Sequence, residues 1–164
     1  MVKDKGENSM LRDDTYRVAL FGQRDFCAHR ILDEKLPPLL KNLIRTSGFL
    51  EIYIGRNGEF DLYAAAIVKH VQREVGKINN EMICVLPYPE KDMEYYAEYY
   101  DRVMIPEGGG KMHPKSAITH RNRWIVEQAD LLACYVDRRT GGAYTALRYA
   151  ERLGKKIVNF AEDV

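Results

Sequence analysis

The chain has 164 residues, 46% of them apolar and 30% charged, with a net charge of +1. That size and mix suit one soluble globular domain with a sizeable core, and the near-neutral balance argues against a broad basic surface for nucleic acid. No apolar run is long enough to span a membrane, no apolar signal region stands at Met1–Asn8, and Cys27, Cys84 and Cys134 are far apart and odd in number, so the expectation is a cytoplasmic domain with reduced thiols, no metal and no cofactor.

Residues 1–14 are polar and aperiodic and read as a tail, leaving residues 15–164 as the single domain. Tyr16–Gly22 is a continuous apolar run, as a strand covered on both faces should be. A helix follows over Ala28–Thr46, and Pro37-Pro38 should interrupt or restart it, because proline lacks the N–H and crowds the preceding turn. Leu50–Gly55 reads as the second strand. Phe60, Ala64, Ile67, Val68, Val71 and Val75 then recur at helical spacing, closed by Gly76. Met82–Pro87 is a third strand, Met93–Tyr100 a short tyrosine-rich helix, and Arg102–Pro106 a fourth strand. Glu107–Lys115 reads as a flexible linker or lid: its Gly108-Gly109-Gly110-Lys111 run lacks the first glycine and the hydroxyl of a Walker A loop. Ala117–Gln128, Leu131–Val136, Gly142–Leu153 and Ile157–Phe160 complete the series as helix, strand, helix and strand.

Six strands alternating with five helices predict a three-layer α/β sandwich on a mostly parallel, doubly wound sheet. Right-handed crossovers put every strand-to-helix loop on one rim, so a ligand site should draw on Gln23–Cys27, Arg56–Phe60, Tyr88–Asp92, Glu107–Ser116 and Asp137–Gly141.

In the first loop, Gly22 permits a tight turn and Arg24 can grip a phosphate, although a solvated charged loop has the same composition. In the second, Gly55, Asn57 and Gly58 form a backbone cradle at a helix start, and Glu59 or Asp61 suits a ribose hydroxyl or merely the helix dipole. Arg121 and Arg123, two residues apart, do not share a helix face, so at most one points straight at a ligand. Their place near a helix start opposes the dipole and argues for an anionic partner. Asp137 ends the fifth strand. Gly141, Gly142 and Ala143 then open the last helix, where free N–H groups approach an anion closely. Tyr95, Tyr96, Tyr99 and Tyr100 form an aromatic stripe that reads as packing or as the contact of a homo-oligomer.

The order of these motifs resembles the SLOG superfamily, and more narrowly its YpsA-like branch. The segments that carry it are Gly22-Gln23-Arg24, Gly55…Gly58, Arg121-Asn122-Arg123…Ala129-Asp130 and Gly141-Gly142-Ala143…Tyr149-Ala150…Gly154-Lys155. The resemblance covers residues 16–161 and implies a Rossmann-like fold that binds a nucleotide or nucleotide-derived ligand. Relatives include cytokinin-activating phosphoribohydrolases and the DNA-processing Smf/DprA proteins. The phosphoribohydrolases carry Pro-Gly-Gly-x-Gly-Thr-x-x-Glu. Here Thr140 stands for the proline, Tyr144-Thr145 for Gly-Thr, and no glutamate follows. The similar deoxyribosyltransferases place a nucleophilic glutamate where this chain has Ala146.

The expected function is therefore binding or sensing of a nucleotide-derived, ADP-ribose-like small molecule at the carboxyl rim. An N-ribosyl hydrolase or transferase is the alternative. Glycosidic chemistry needs a carboxylate against the anomeric carbon, and here it would come from Glu59, Asp137, Asp61 or Asp25. A single-strand nucleic-acid module like the Smf relatives is the third reading, opposed by the near-neutral charge.

Overall fold

The computed structural model describes residues 14–162, so the expected tail lies outside the described residues apart from Asp14. The chain runs β1 (Thr15–Gly22), α1 (His29–Thr46), β2 (Phe49–Ile54), α2 (Glu59–Val75), β3 (Asn80–Val85), α3 (Met93–Tyr99), β4 (Arg102–Met104), α4 (Pro114–Gln128), β5 (Leu131–Tyr135), α5 (Gly142–Arg152) and β6 (Lys156–Asn159). All six strands pair in parallel, in the order β4-β3-β2-β1-β5-β6. This is the α/β sandwich that the alternation of apolar runs predicts.

The alternation of side chains along each strand splits the core in two. Val18, Leu20, Ile52, Ile54, Met82 and Cys84 face α1, α2 and α3. Ala19, Phe21, Tyr53, Ile83, Val85 and Cys134 face α4 and α5. The chain builds outward from β1 to β4, then returns to lay β5 on the other side of β1. The order reverses between β1 and β5, and a crevice opens there at the carboxyl ends of the strands, where open α/β sheets bind ligands.

Three local expectations need correction. The α1 helix runs through Pro37 and Pro38 without a break. Leu32, Leu36, Leu40 and Ile44 form one buried stripe that keeps both halves on the sheet, while Asp33 and Glu34, whose carbonyls lose their helical partners, are exposed residues. The glycine run is a packed turn rather than a loose lid. Gly108 takes φ +91°, and a Cβ on buried Gly109 would stand 2.3 Å from the Pro87 carbonyl oxygen. Finally, α4 begins three residues before Ala117, with Pro114 in its first turn and His113 Nδ1 accepting from the Lys115 N–H. Arg121 is therefore two turns into the helix, beyond the reach of the N-terminal dipole that the sequence suggested it opposed.

Candidate functional site

The rim loops after β1, β2 and β5 dock on one another before they meet any ligand. Gly58 approaches the first loop so closely that a Cβ there would lie 2.6 Å from Arg24 Cα. The Glu59 N–H donates to the Arg24 carbonyl at 2.9 Å, and Arg24 Nε donates to the Asn57 carbonyl at 2.9 Å. Gly22 is needed for packing, since a Cβ would enter the Phe60 ring. On the other flank, the Asp137 N–H donates to Gln23 Oε1 at 2.7 Å, and Arg138 Nη1 meets Asp25 Oδ2 at 2.6 Å.

These loops and the inner side of α4 enclose a cleft of about 440 Å³. Its lining includes Gly22, Arg24, Gly55, Asn57, Gly58, Gly141, Gly142 and Ala143 from the sequence-predicted set. Arg121 forms the floor. It is 3% exposed because Ala117, Arg121 and Ile125 are four residues apart on the stripe of α4 that faces the sheet. Its Nη1 donates to the Val85 carbonyl at 2.9 Å and its Nε to Asn122 Oδ1 at 2.8 Å. With the Asn57 amide oriented to satisfy its neighbours, Asn57 Oδ1 accepts from Arg121 Nη2 at 3.0 Å. Burial pushes this guanidinium below its ordinary value, while the Asp61 carboxylate opposes the drop.

Asp61 faces it across Gly55. A Cβ at Gly55 would lie 2.8 Å from Arg121 Nη1 and 3.1 Å from Asp61 Oδ2, so the missing side chain leaves room for both groups. Desolvation pushes the Asp61 carboxyl up to about 6, against the Asn57 N–H at 2.9 Å and the charges of Arg121 and Arg24, which favour the anion. Cys84 lies close enough for its thiol to feel Arg121, yet burial pushes it up to about 12, so it is no nucleophile near neutral pH.

Three predicted residues are placed elsewhere. Glu59 and Asp137 are exposed and do not line the cleft. Arg123 is exposed on the outer face of α4, with its guanidinium 5.4 Å from the Tyr149 ring centre. Ala146 is buried in the core between α5 and the sheet. Sequence reasoning missed Lys115, Ile118 and Asn122, which line the cleft at i, i+3 and i+7 on α4, and it left Asp61 among several acids. The α4 signal was available: the same period that buries Ala117 and Ile125 turns Lys115 and Ile118 toward the rim. The tyrosine stripe packs inward through Tyr96 and Tyr100. Tyr95, 54% exposed, has Arg56 at 5.4 Å from its ring centre.

On the first turn of α5, Gly141 takes φ +95° and nothing would touch a Cβ there, so glycine serves the conformation alone. At Gly142 a Cβ would meet only Asn122 Nδ2, at 3.5 Å. The backbone here is open to the cleft. Among the described residues, no group of three or more His, Cys, Asp or Glu side chains is arranged to hold a metal ion, and no helix is long and apolar enough to cross a membrane.

The sequence matches no family model and no curated protein. Among solved structures, the chain is similar to TM1055, a structural genomics target (TM-score 0.56, 18% identity, covering 87% of this chain and 72% of that one). It is also similar to DNA processing protein A from Streptococcus pneumoniae (0.61, 15%, 87% and 49%). A third match is DNA processing protein A from Helicobacter pylori, a protein with a single-stranded DNA binding mode (0.62, 16%, 91% and 66%). The chain thus spans about half and two thirds of the two DNA processing proteins. At these identities the likeness establishes the fold, the Rossmann-like one that a resemblance to the SLOG superfamily implies.

Proposed function

We propose that the protein binds a nucleotide or nucleotide-derived, ADP-ribose-like small molecule in the cleft at the carboxyl rim. One observation carries the reading: Arg24, Lys115, Arg121 and Arg138 line the same cleft as the open backbone of Gly141 and Gly142. Its volume, about 440 Å³, falls in the range of small-molecule sites and is too small for a folded partner. Phosphates take the N–H groups at the start of α5 together with Arg138 and Lys115. A ribose hydroxyl donates to Asp61, and Phe21, Ile118 and Ala143 supply apolar wall for the remainder.

An N-ribosyl hydrolase or transferase is the second reading, favoured by Asp61, which with the ion-paired Asp25 is one of two acids lining the cleft. With its carboxyl pushed up to about 6, it exists in both forms near neutral pH and is able to serve a departing base as acid or a water as base. Single-strand nucleic-acid binding draws support from the likeness to DNA processing protein A, and the net charge of +1 weighs against it. Calorimetry with mononucleotides, dinucleotides and a dT oligonucleotide, beside a chromatographic turnover assay, separates the three. Binding of a mono- or dinucleotide without base release supports the sensor. Base release that Asp61→Asn abolishes transfers the assignment to the hydrolase. Salt-sensitive oligonucleotide binding with no nucleotide binding overturns both.

A further inference from the structure

We infer that Tyr95 and Arg56 form a stacking shelf for the ligand's nucleobase, just outside the cleft on the same rim. The protein thereby takes ligands with a flat aromatic base at one end and phosphate at the other. The inference rests on the nucleotide-binding reading and gives the ligand its direction along the rim.

The loop after β2 divides the cleft from α3. Gly55 and Asn57 line the cleft, while Arg56 between them sends its guanidinium to the tyrosines of α3. That guanidinium lies 4.4 Å from the Tyr96 ring centre and 5.4 Å from that of Tyr95, and among the described residues it makes no ion pair. A guanidinium held by ring faces rather than by a carboxylate keeps N–H donors for a ligand. Tyr96 is the fixed member of the pair: it is buried, and its hydroxyl donates to Glu90 Oε2 at 2.5 Å. Tyr95, in the first turn of α3, is 54% exposed and lies within 18° of parallel to Tyr99, with ring centres 6.3 Å apart. Lys69 Nζ stands 3.9 Å from the Tyr99 ring centre, so Tyr95 is the ring of this pair that is open to solvent.

An exposed ring beside a guanidinium without a carboxylate, one residue from a cleft rich in cations, suits a flat heterocycle. The base stacks on the tyrosine face, and Arg56 donates to its ring nitrogens or carbonyl oxygens. The spacing also suits a nucleotide. The start of α5 follows β5 and Tyr95 follows β3, three places apart in the order β3-β2-β1-β5. At about 4.8 Å per strand this is roughly 14 Å. Phosphates at the start of α5, a ribose at Asp61 and a base at Tyr95 stand in that order along the rim, as they do in an extended nucleoside diphosphate. Charge fixes the direction: α3 carries the exposed Glu94 and Glu98 beside the shelf, and these repel a phosphate but not a neutral base. The same acids oppose a polynucleotide, whose backbone phosphates have to cross them.

The test is titration calorimetry of the full chain with ADP-ribose and, by competition, with ribose 5-phosphate, which lacks the base. Tyr95→Ala should weaken ADP-ribose by about five- to thirtyfold, the lower range of one base stack, and leave ribose 5-phosphate within about twofold of wild type. Tyr95→Phe should keep the wild-type affinity for ADP-ribose, since the ring face rather than the hydroxyl carries the base. ADP-ribose affinity that Tyr95→Ala leaves unchanged, or an equal loss for both ligands, overturns this inference and leaves the nucleotide-binding reading standing. So does a Tyr95→Phe protein as weak as Tyr95→Ala. Binding of neither ligand to any of the proteins overturns both.

Discussion

Asp61→Asn should stabilise the protein near neutral pH, and the gain should fade in acid. The native carboxyl sits at about 6 against an ordinary 3.8, with desolvation as the largest cause. Because the folded value is raised, the group's favourable contribution is fully present below the unfolded value. It is lost as pH rises through the folded one. At pH 7.5 the carboxylate is ionised in both states, and the folded state bears the cost of holding it out of water. A shift of this size corresponds to roughly 3 kcal/mol, and water and relaxation in the open cleft reduce it to about 1–3 kcal/mol. Asparagine keeps the shape and an acceptor for the Asn57 N–H without the charge. Urea unfolding at pH 7.5 should thus show the variant more stable by about 1–3 kcal/mol, or roughly 3–10 °C in Tm for a domain of this size. At pH 4.5 the difference should shrink by about two thirds, since most of the native carboxyl is then protonated. A variant less stable than wild type at pH 7.5, or a difference that ignores pH, would mean that Arg121 and Arg24 outweigh desolvation. The reasoning would then fail.

Four further outcomes follow from the same geometry. Arg121→Lys should lower nucleotide affinity about 30-fold or more by calorimetry, and cost about 2–4 kcal/mol in urea unfolding, because one ammonium cannot replace three directed bonds at a buried site. Arg123→Ala, on the outer face of α4, should change affinity less than about twofold, within the range of a surface pair. Gly142→Val should fold with a near-native melting curve, since a Cβ there meets only Asn122 at 3.5 Å, yet abolish ligand binding by filling the cleft. By contrast, Gly22→Ala should destabilise by roughly 3 kcal/mol or more in the same urea assay, because its Cβ would enter the buried Phe60 ring and force the core to shift.

The sequence by itself determined the layers of this protein and the rim on which its site lies. Apolar runs such as Val18–Phe21 and Ile52–Ile54 have no polar side to show water, so they must lie inside a covered sheet. The helical spacing of Phe60, Ala64, Ile67, Val68 and Val71 allows one buried stripe, as observed. Local periodicity is enough for these because each follows from residues within a few positions of one another. Arg121 and Arg123 illustrate what local pattern does not decide. Both are arginines in one helix, and only the rotation of α4 against the sheet buries the first beside the Val85 carbonyl and leaves the second outside on Tyr149. The acids divide in the same way: Glu59 and Asp61 are neighbours on the first turn of α2, but only Asp61, half-buried, turns under Gly55 onto the cleft floor. Even Pro37 and Pro38, whose local chemistry opposes a helix, yield to the stripe from Leu32 to Ile44 packed on the sheet. Solvation and charge at a position depend on partners tens of residues away in the chain, and those partners are chosen only when the layers close.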